Sequence, residues 1–222
     1  MQFIIISTLV IIHELGHFLI AKLLKIDVIK ICLYPLGGIS KINMDLNEKV
    51  IKELIVLISG PIFQIFAYLI LKKLFYDYSH MINIYHYGIL IFNLIPIYPL
   101  DGGKLLNIII SLKLPYKTTY KITIYISYII LIILLILNRY NITINIIIVI
   151  LFLLYKITKE YNNMEYIYQK FLLERYINEY RFKNTKIINN INNFYRNNNH
   201  LVKINDKYYR EKEILEKKYK KI

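Results

Sequence analysis

The chain has 222 residues, of which 56% are hydrophobic, with a mean hydropathy of +0.41 and a net charge of +14. So much apolar sequence beside 20% charged residues excludes one soluble core, because the two kinds are segregated: Ile/Leu-rich blocks run to about Tyr155, and charged, Asn-rich sequence follows. A single cysteine, Cys32, excludes an intrachain disulfide and a thiolate metal cluster. The basic residues lie between apolar blocks and in the tail, which marks cytoplasmic membrane faces and argues against direct nucleic-acid binding.

The first block, Gln2 to about Leu24, is long enough to span a bilayer, which takes about 20 apolar residues. It runs into His13-Glu14-Leu15-Gly16-His17 where a secretory signal would carry a small-residue cleavage site, so no cleavable leader is read here. Residues 27–34 read as a strand, Pro35-Leu36-Gly37-Gly38 as a turn and 39–42 as a return strand, together a hairpin at the membrane surface.

A second span covers about Leu54 to Leu74, interrupted at Gly60-Pro61. A third begins near Ile82, breaks at Pro96, Pro99 and Asp101-Gly102-Gly103, and resumes from Lys104 to Leu112. Irregular backbone at membrane depth is tolerated only where protein or a watery cavity covers it, so a broken helix carrying an aspartate is a candidate site. A fourth span covers about Ile122 to Leu137 and a fifth about Ile142 to Tyr155.

The expected fold is therefore an all-α polytopic membrane bundle of about five spans, the third broken, with a short surface hairpin and a small C-terminal tail of α/β or helical type. Residues 1–155 form the membrane domain and 156–222 a basic tail, helical to about Tyr180, then a helix around 187–195, a strand around 200–204 and a closing helix around 211–219. The distribution of Lys and Arg puts the hairpin, the 113–121 connection and the tail in the cytoplasm. Met1 then lies outside, and a further leading helix is expected in relatives. Among the other histidines, His80 reads as solvated, His86 as interfacial and His200 as part of the soluble tail.

His13-Glu14-Leu15-Gly16-His17 matches H-E-x-x-H. On a helix, residues four apart share a face, so both imidazoles can bind one zinc ion, and the adjacent glutamate can act as general base. Ionisable groups within an apolar span cost about 2.5–3.5 kcal/mol each on insertion scales, so they mark function by default. The bland alternative is a polar face buried between helices. A catalytic zinc usually has three protein ligands and one open position. Asp101 is either the third ligand or the N-cap of a helix starting at Gly102. One Zn2+ per chain is expected.

These motifs, with Gly37-Gly38, Gly60-Pro61 and the run Asn93-Leu94-Ile95-Pro96-Ile97-Tyr98-Pro99-Leu100-Asp101-Gly102-Gly103-Lys104, resemble the site-2 protease (M50) family of intramembrane zinc metalloproteases, most closely its sporulation branch. The resemblance covers residues 1 to about 155. It implies that His13, His17 and Asp101 bind zinc and that Glu14 is catalytic. Asn93 and Pro99 match the N and P of the family's N-P-D-G pattern, which implies contact with substrate backbone, and Gly37-Gly38 match a hairpin that presents an extended substrate. The family's Gly-Pro pair is often followed three residues later by Asn, where this chain has Gln64.

The implied function is regulated proteolysis of a membrane-associated substrate, in the sporulation branch a pro-sigma factor, with regulatory membrane proteins as partners. The implied setting is the bacterial cytoplasmic or forespore-surrounding membrane, the C-terminus in the cytoplasm and the tail a degenerate form of the branch's CBS-like module. Two other classes stay open: an inactive relative that binds membrane proteins without cutting, and a metal carrier that has no need of Glu14.

Overall fold

The computed structural model describes residues 1–220 apart from 27, 35, 36, 43, 44, 141, 142, 179 and 181, and along 28–42 it describes the backbone alone. Helix α1 spans Gln2–Leu23. It ends in a Schellman-type cap: Lys25 adopts φ 57°, its N–H donates to Lys22 O, and the Ile26 N–H donates to Ala21 O. The Ile26 side chain closes the cap by packing on Ala21 and Val56.

Strands β1 (Val28–Tyr34) and β2 (Gly37–Ile42) pair antiparallel, with Tyr34 opposite Gly37 and Leu33 opposite Gly38. The expected hairpin is present, but Gly37 and Gly38 open the return strand and do not form its turn. Pro35 and Leu36, the rest of the expected turn, lie outside the described residues. The hairpin backbone runs beside α1.

Helix α2 covers Val50–Leu74 and continues through Pro61, so the expected interruption at Gly60-Pro61 is absent. Proline removes one backbone donor, a local loss that packing against neighbouring helices tolerates in membrane segments. A 3₁₀ turn (Tyr76–Tyr78) leads into α3 (Ser79–Leu94), and α4 (Asp101–Ser111) follows the proline-rich break. The core here is Ile5 and Leu9 of α1 with Ala67 and Tyr68 of α2 and Ile82 of α3.

Helix α5 spans Tyr116–Leu137 and α6 spans Ile144–Ile177, which Thr143 caps through its side chain. Among the described residues, α1, α2 and α5 are long and apolar enough to cross a membrane. Three helices thus meet that test, which leaves the expected count of about five spans unconfirmed. Helices α3 and α4, with 16 and 11 residues, fall short of the required length individually. The fifth apolar block is the first part of α6, which runs 34 residues without a Gly or Pro to stop it near Tyr155. Large apolar side chains such as Phe3, Phe66, Leu69, Ile129 and Leu137 stay exposed, as lipid-facing positions require.

Beyond α6, β3 (Thr185–Ile188) pairs parallel with β4 (Asn199–Ile204), and β5 (Lys207–Arg210) pairs antiparallel with β4 before α7 (Glu211–Tyr219). The helix expected over 187–195 is replaced by the end of β3 and a 3₁₀ turn, Ile191–Asn193, which the Asn190 side chain caps. Strand β5 was not anticipated. It is turned back by Asn205 and Asp206, both in the left-handed region (φ 46° and 58°), the conformation that two-residue hairpins demand.

The chain divides into two compact units. One comprises Met1–Met44, Val50–Ile95 and Leu100–Leu105; the other comprises Asp45–Lys49, Pro96–Pro99 and Leu106–Ile222. The second unit is centred on Tyr116, Tyr168, Phe171, Phe194, Val202 and Leu215.

Arg175, buried in that unit, uses all five of its donors. Nε donates to Asn47 Oδ1 (2.6 Å), Nη1 to Asn198 O (3.0 Å) and Glu211 Oε1 (2.9 Å), and Nη2 to Tyr195 O and Arg196 O (2.7 Å each). Asn47 in turn donates to Phe171 O at 2.9 Å. His200 accepts from the Tyr195 N–H through Nε2 (2.8 Å) and faces Glu211 Oε2 with Nδ1 (3.0 Å).

Breaking a buried ion pair leaves an uncompensated charge, so Arg175→Met is expected to destabilise the tail by about 3–5 kcal/mol. Limited proteolysis of the full chain at its 182–220 segment checks this, and wild-type resistance in the variant would contradict it.

Burial, aided by the Arg175 charge, outweighs the Glu211 hydrogen bond and lowers the His200 pKa. Burial alone would raise Glu211, but the His200 hydrogen bond and the Arg175 charge outweigh it and lower that pKa as well. Both groups bind protons more readily unfolded than folded, so tail stability rises with pH. The His200 contribution is complete above its ordinary value of 6.5 and is lost as pH falls below it, and that of Glu211 is lost below 4.5. Amide exchange in β4, corrected for intrinsic rates, is expected to show lower protection at about pH 5 than at about pH 7.

Candidate metal centre

His13 and His17 sit one turn apart on α1, and both are buried, as is Glu14 between them. Their Nε2 atoms are 3.2 Å apart. Asp101, the first residue of α4, brings Oδ2 to 3.1 Å from His13 Nε2 and 3.0 Å from His17 Nε2. The three atoms thus form a nearly equilateral triangle, joining residues 84 and 88 positions apart in the chain.

The Asp101 carboxylate does not act as the expected alternative, a helix cap. Oδ2 faces the histidines and Oδ1 accepts from Lys104 Nζ at 3.2 Å. Gly102 makes this placement possible: a Cβ there would lie 2.2 Å from the Leu94 carbonyl oxygen at the end of α3.

The opposite sides of the rings are engaged by α2. The His17 Nδ1 donates to the Val56 carbonyl (2.7 Å), and His13 Nδ1 lies 2.9 Å from Gln64 Oε1. Between them, Gly60 faces the site itself. A Cβ built on Gly60 would come within 2.3 Å of His17 Nε2 and 2.9 Å of His13 Nε2. Val56, Gly60 and Gln64, spaced four apart, form one stripe on α2, set antiparallel to the His13/His17 stripe on α1. Ser59 Oγ ties the two helices further by donating to the Gly16 carbonyl at 3.0 Å.

The residues fit a zinc ion by two independent criteria. Two imidazole nitrogens and a carboxylate oxygen are a zinc donor set, and tetrahedral bonds of about 2.0–2.1 Å imply ligand separations of about 3.3 Å, close to the spacings present. The missing Cβ at Gly60 also leaves open the space that the two Nε2 atoms face. His13, His17 and Asp101 can accordingly hold one metal ion.

The other expected site residues are not among these three donors. Asn93 lies in the last turn of α3 and its side chain donates back to the Ile89 carbonyl (3.1 Å). Pro99 belongs to the break before α4, and Gly37 and Gly38 to β2. His86, expected at the interface, is buried on α3 and stacked on Tyr68 with ring centroids 4.1 Å apart. Val56, Gly60 and Lys104 were not assigned site roles from sequence. The repeated spacing of four on α2 was the available signal for the first two.

A buried His-His-Asp centre with H-E-x-x-H on a helix in an apolar bundle defines the class: a membrane-embedded metallohydrolase-type site. The family follows from comparison. The model of peptidase family M50 matches residues 1–80 and 73–134, and the chain belongs to that family. It is an integral membrane protein. It is 32% identical over 181 residues to stage IV sporulation protein FB of Bacillus subtilis, covering 78% of this chain and 63% of that protein. It is 33% identical over 171 residues to a zinc metalloprotease of Methanocaldococcus jannaschii, covering 71% and 48%. The chain therefore spans between about half and two thirds of the length of these relatives. Among solved structures it is similar to the site-2 protease from Methanocaldococcus jannaschii, with a TM-score of 0.60 and 29% identity, covering 71% of this chain and 76% of that one.

Gly60→Ala is expected to reduce zinc content to background while the helices persist. Elemental analysis of the purified protein alongside circular dichroism tests this, and full zinc loading of the variant would contradict it.

Proposed function

We propose that this chain is an intramembrane zinc endopeptidase in which His13, His17 and Asp101 hold the ion and Glu14 is the general base. The observation that carries this is the convergence of His13 Nε2, His17 Nε2 and Asp101 Oδ2 within 3.2 Å of one another inside the first unit. When bound, zinc supplies Lewis acidity toward a carbonyl and lowers the pKa of water to about 7.

The chain's own groups do the rest. The Glu14 carboxylate takes a proton from the water that attacks the scissile carbonyl and returns it to the leaving amine nitrogen, so that one group serves as base and then as acid. Lys104 holds Asp101 Oδ1 and leaves Oδ2 toward the ion's position. The apolar surroundings keep bulk water from screening these charges.

Substrate is a membrane-associated protein, which must reach the site as extended chain. The two-stranded sheet beside α1 offers an edge to which such a segment can add, with Gly37 and Gly38 on its second strand. Asn93 and Pro99 contact the substrate backbone. Likeness to stage IV sporulation protein FB supports a pro-sigma factor as substrate and a bacterial cytoplasmic or forespore-surrounding membrane as location. In this scheme residues 1–155 are the catalytic membrane domain, residues 156–222 a cytoplasmic regulatory tail of degenerate CBS type, and other membrane proteins control the enzyme.

The decisive experiment is coexpression of a tagged pro-sigma-type substrate with wild type and with Glu14→Gln. Cleavage by wild type is expected, with a loss of roughly 10²- to 10⁴-fold in the variant and unchanged zinc content. Equal cleavage by both proteins would eliminate Glu14 as base. Zinc retention with no cleavage by wild type of any membrane-tethered substrate would favour the non-cutting relative.

A further inference from the structure

Gln64 takes no part in the proton path of Glu14, yet it is completely buried and in contact with the centre. A carboxamide presents a donor end and an acceptor end, and the surroundings decide which faces where. Gln64 Nε2 lies 3.0 Å from the main-chain carbonyl oxygen of His86, a group that can only accept. The amide N–H must donate there. A second contact, 3.4 Å from Nε2 to His86 Nδ1, takes the same end. Oε1 is thereby turned to His13 Nδ1 at 2.9 Å.

An amide oxygen carries no proton, so the hydrogen in that bond belongs to His13 Nδ1. A neutral imidazole protonated at Nδ1 has its lone pair on Nε2, the atom 3.2 Å from His17 Nε2 and 3.1 Å from Asp101 Oδ2. The other tautomer would place a hydrogen in the space the ion needs and set a lone pair against Oε1. His17 has no such choice, since a main-chain carbonyl, Val56 O, receives its Nδ1 hydrogen. His13 is the ligand whose tautomer depends on a replaceable side chain.

We propose that Gln64 is a positioning residue that fixes the metal-binding tautomer of His13, its amide held in register by the His86 carbonyl on α3. This inference rests on the reading that His13 is a metal ligand. The His86 ring is itself buried and stacked on Tyr68, while its backbone carries the anchor.

The test uses the full chain in detergent, with zinc affinity measured by competition with a chromophoric chelator. Gln64→Leu is expected to weaken zinc binding roughly 10- to 100-fold. His86→Ala, which keeps the carbonyl, is expected to stay close to wild type. Nitrogen-15 shifts of the histidine rings in metal-free protein give the second readout, which a merely structural role would not move. Wild type is expected to show His13 protonated at Nδ1, and Gln64→Leu a mixture of tautomers. Wild-type zinc affinity in Gln64→Leu, or a wild-type His13 with no hydrogen on Nδ1, would overturn the assignment. If His13→Ala binds zinc as tightly as wild type, the ligand reading itself fails and this inference falls with it.

Discussion

Three electron-pair donors held 3.0–3.2 Å apart in a buried helical layer are the constraint around which the first unit is arranged. Lone pairs so close repel unless a proton or a cation stands among them, and burial leaves them weakly screened. Each donor is therefore fixed from behind. Val56 and Gln64 hold the rings and Lys104 holds the carboxylate. Gly60 stands where a Cβ would meet both Nε2 atoms.

The same contacts join the helices. Between spanning helices the hydrophobic effect supplies little, because lipid tails are as apolar as Leu, and interhelical hydrogen bonds average about 0.6 kcal/mol. Structural zinc sites in small peptides contribute about 10–16 kcal/mol. On that scale a bound ion outweighs the Ser59–Gly16 and His17–Val56 bonds together. The polar contacts set the geometry, and an ion held there would add to the holding energy.

How much of this could be read from sequence depended on whether a local spacing carried the information. His13, Glu14 and His17 lie within one helical turn, so their shared face was legible. Asp101 was legible only as a choice between ligand and cap, because the choice turns on where α1 lies relative to the broken third span. Gln64 and Gly60 share a periodic stripe, but only the antiparallel packing of α1 on α2 shows what that stripe faces. His86 was misread because its place near the start of a span pointed to the interface, and position along the chain does not tell which side of α3 is inside. In the tail, Ile and Asn alternate without a clear helical or strand period. The strand Thr185–Ile188 and the hairpin turn at Asn205-Asp206 therefore emerged only from the tertiary pairing.

The Arg175–Asn47 contact links positions 128 residues apart. Asn47 belongs to the short loop that precedes α2, the helix carrying Val56, Gly60 and Gln64. During synthesis that loop leaves the ribosome long before Phe171 and Arg175 exist to receive it. The Asn47 loop thus gains its bonds to Arg175 and Phe171 only when translation is nearly complete, late in the synthesis of a chain whose loop was made early.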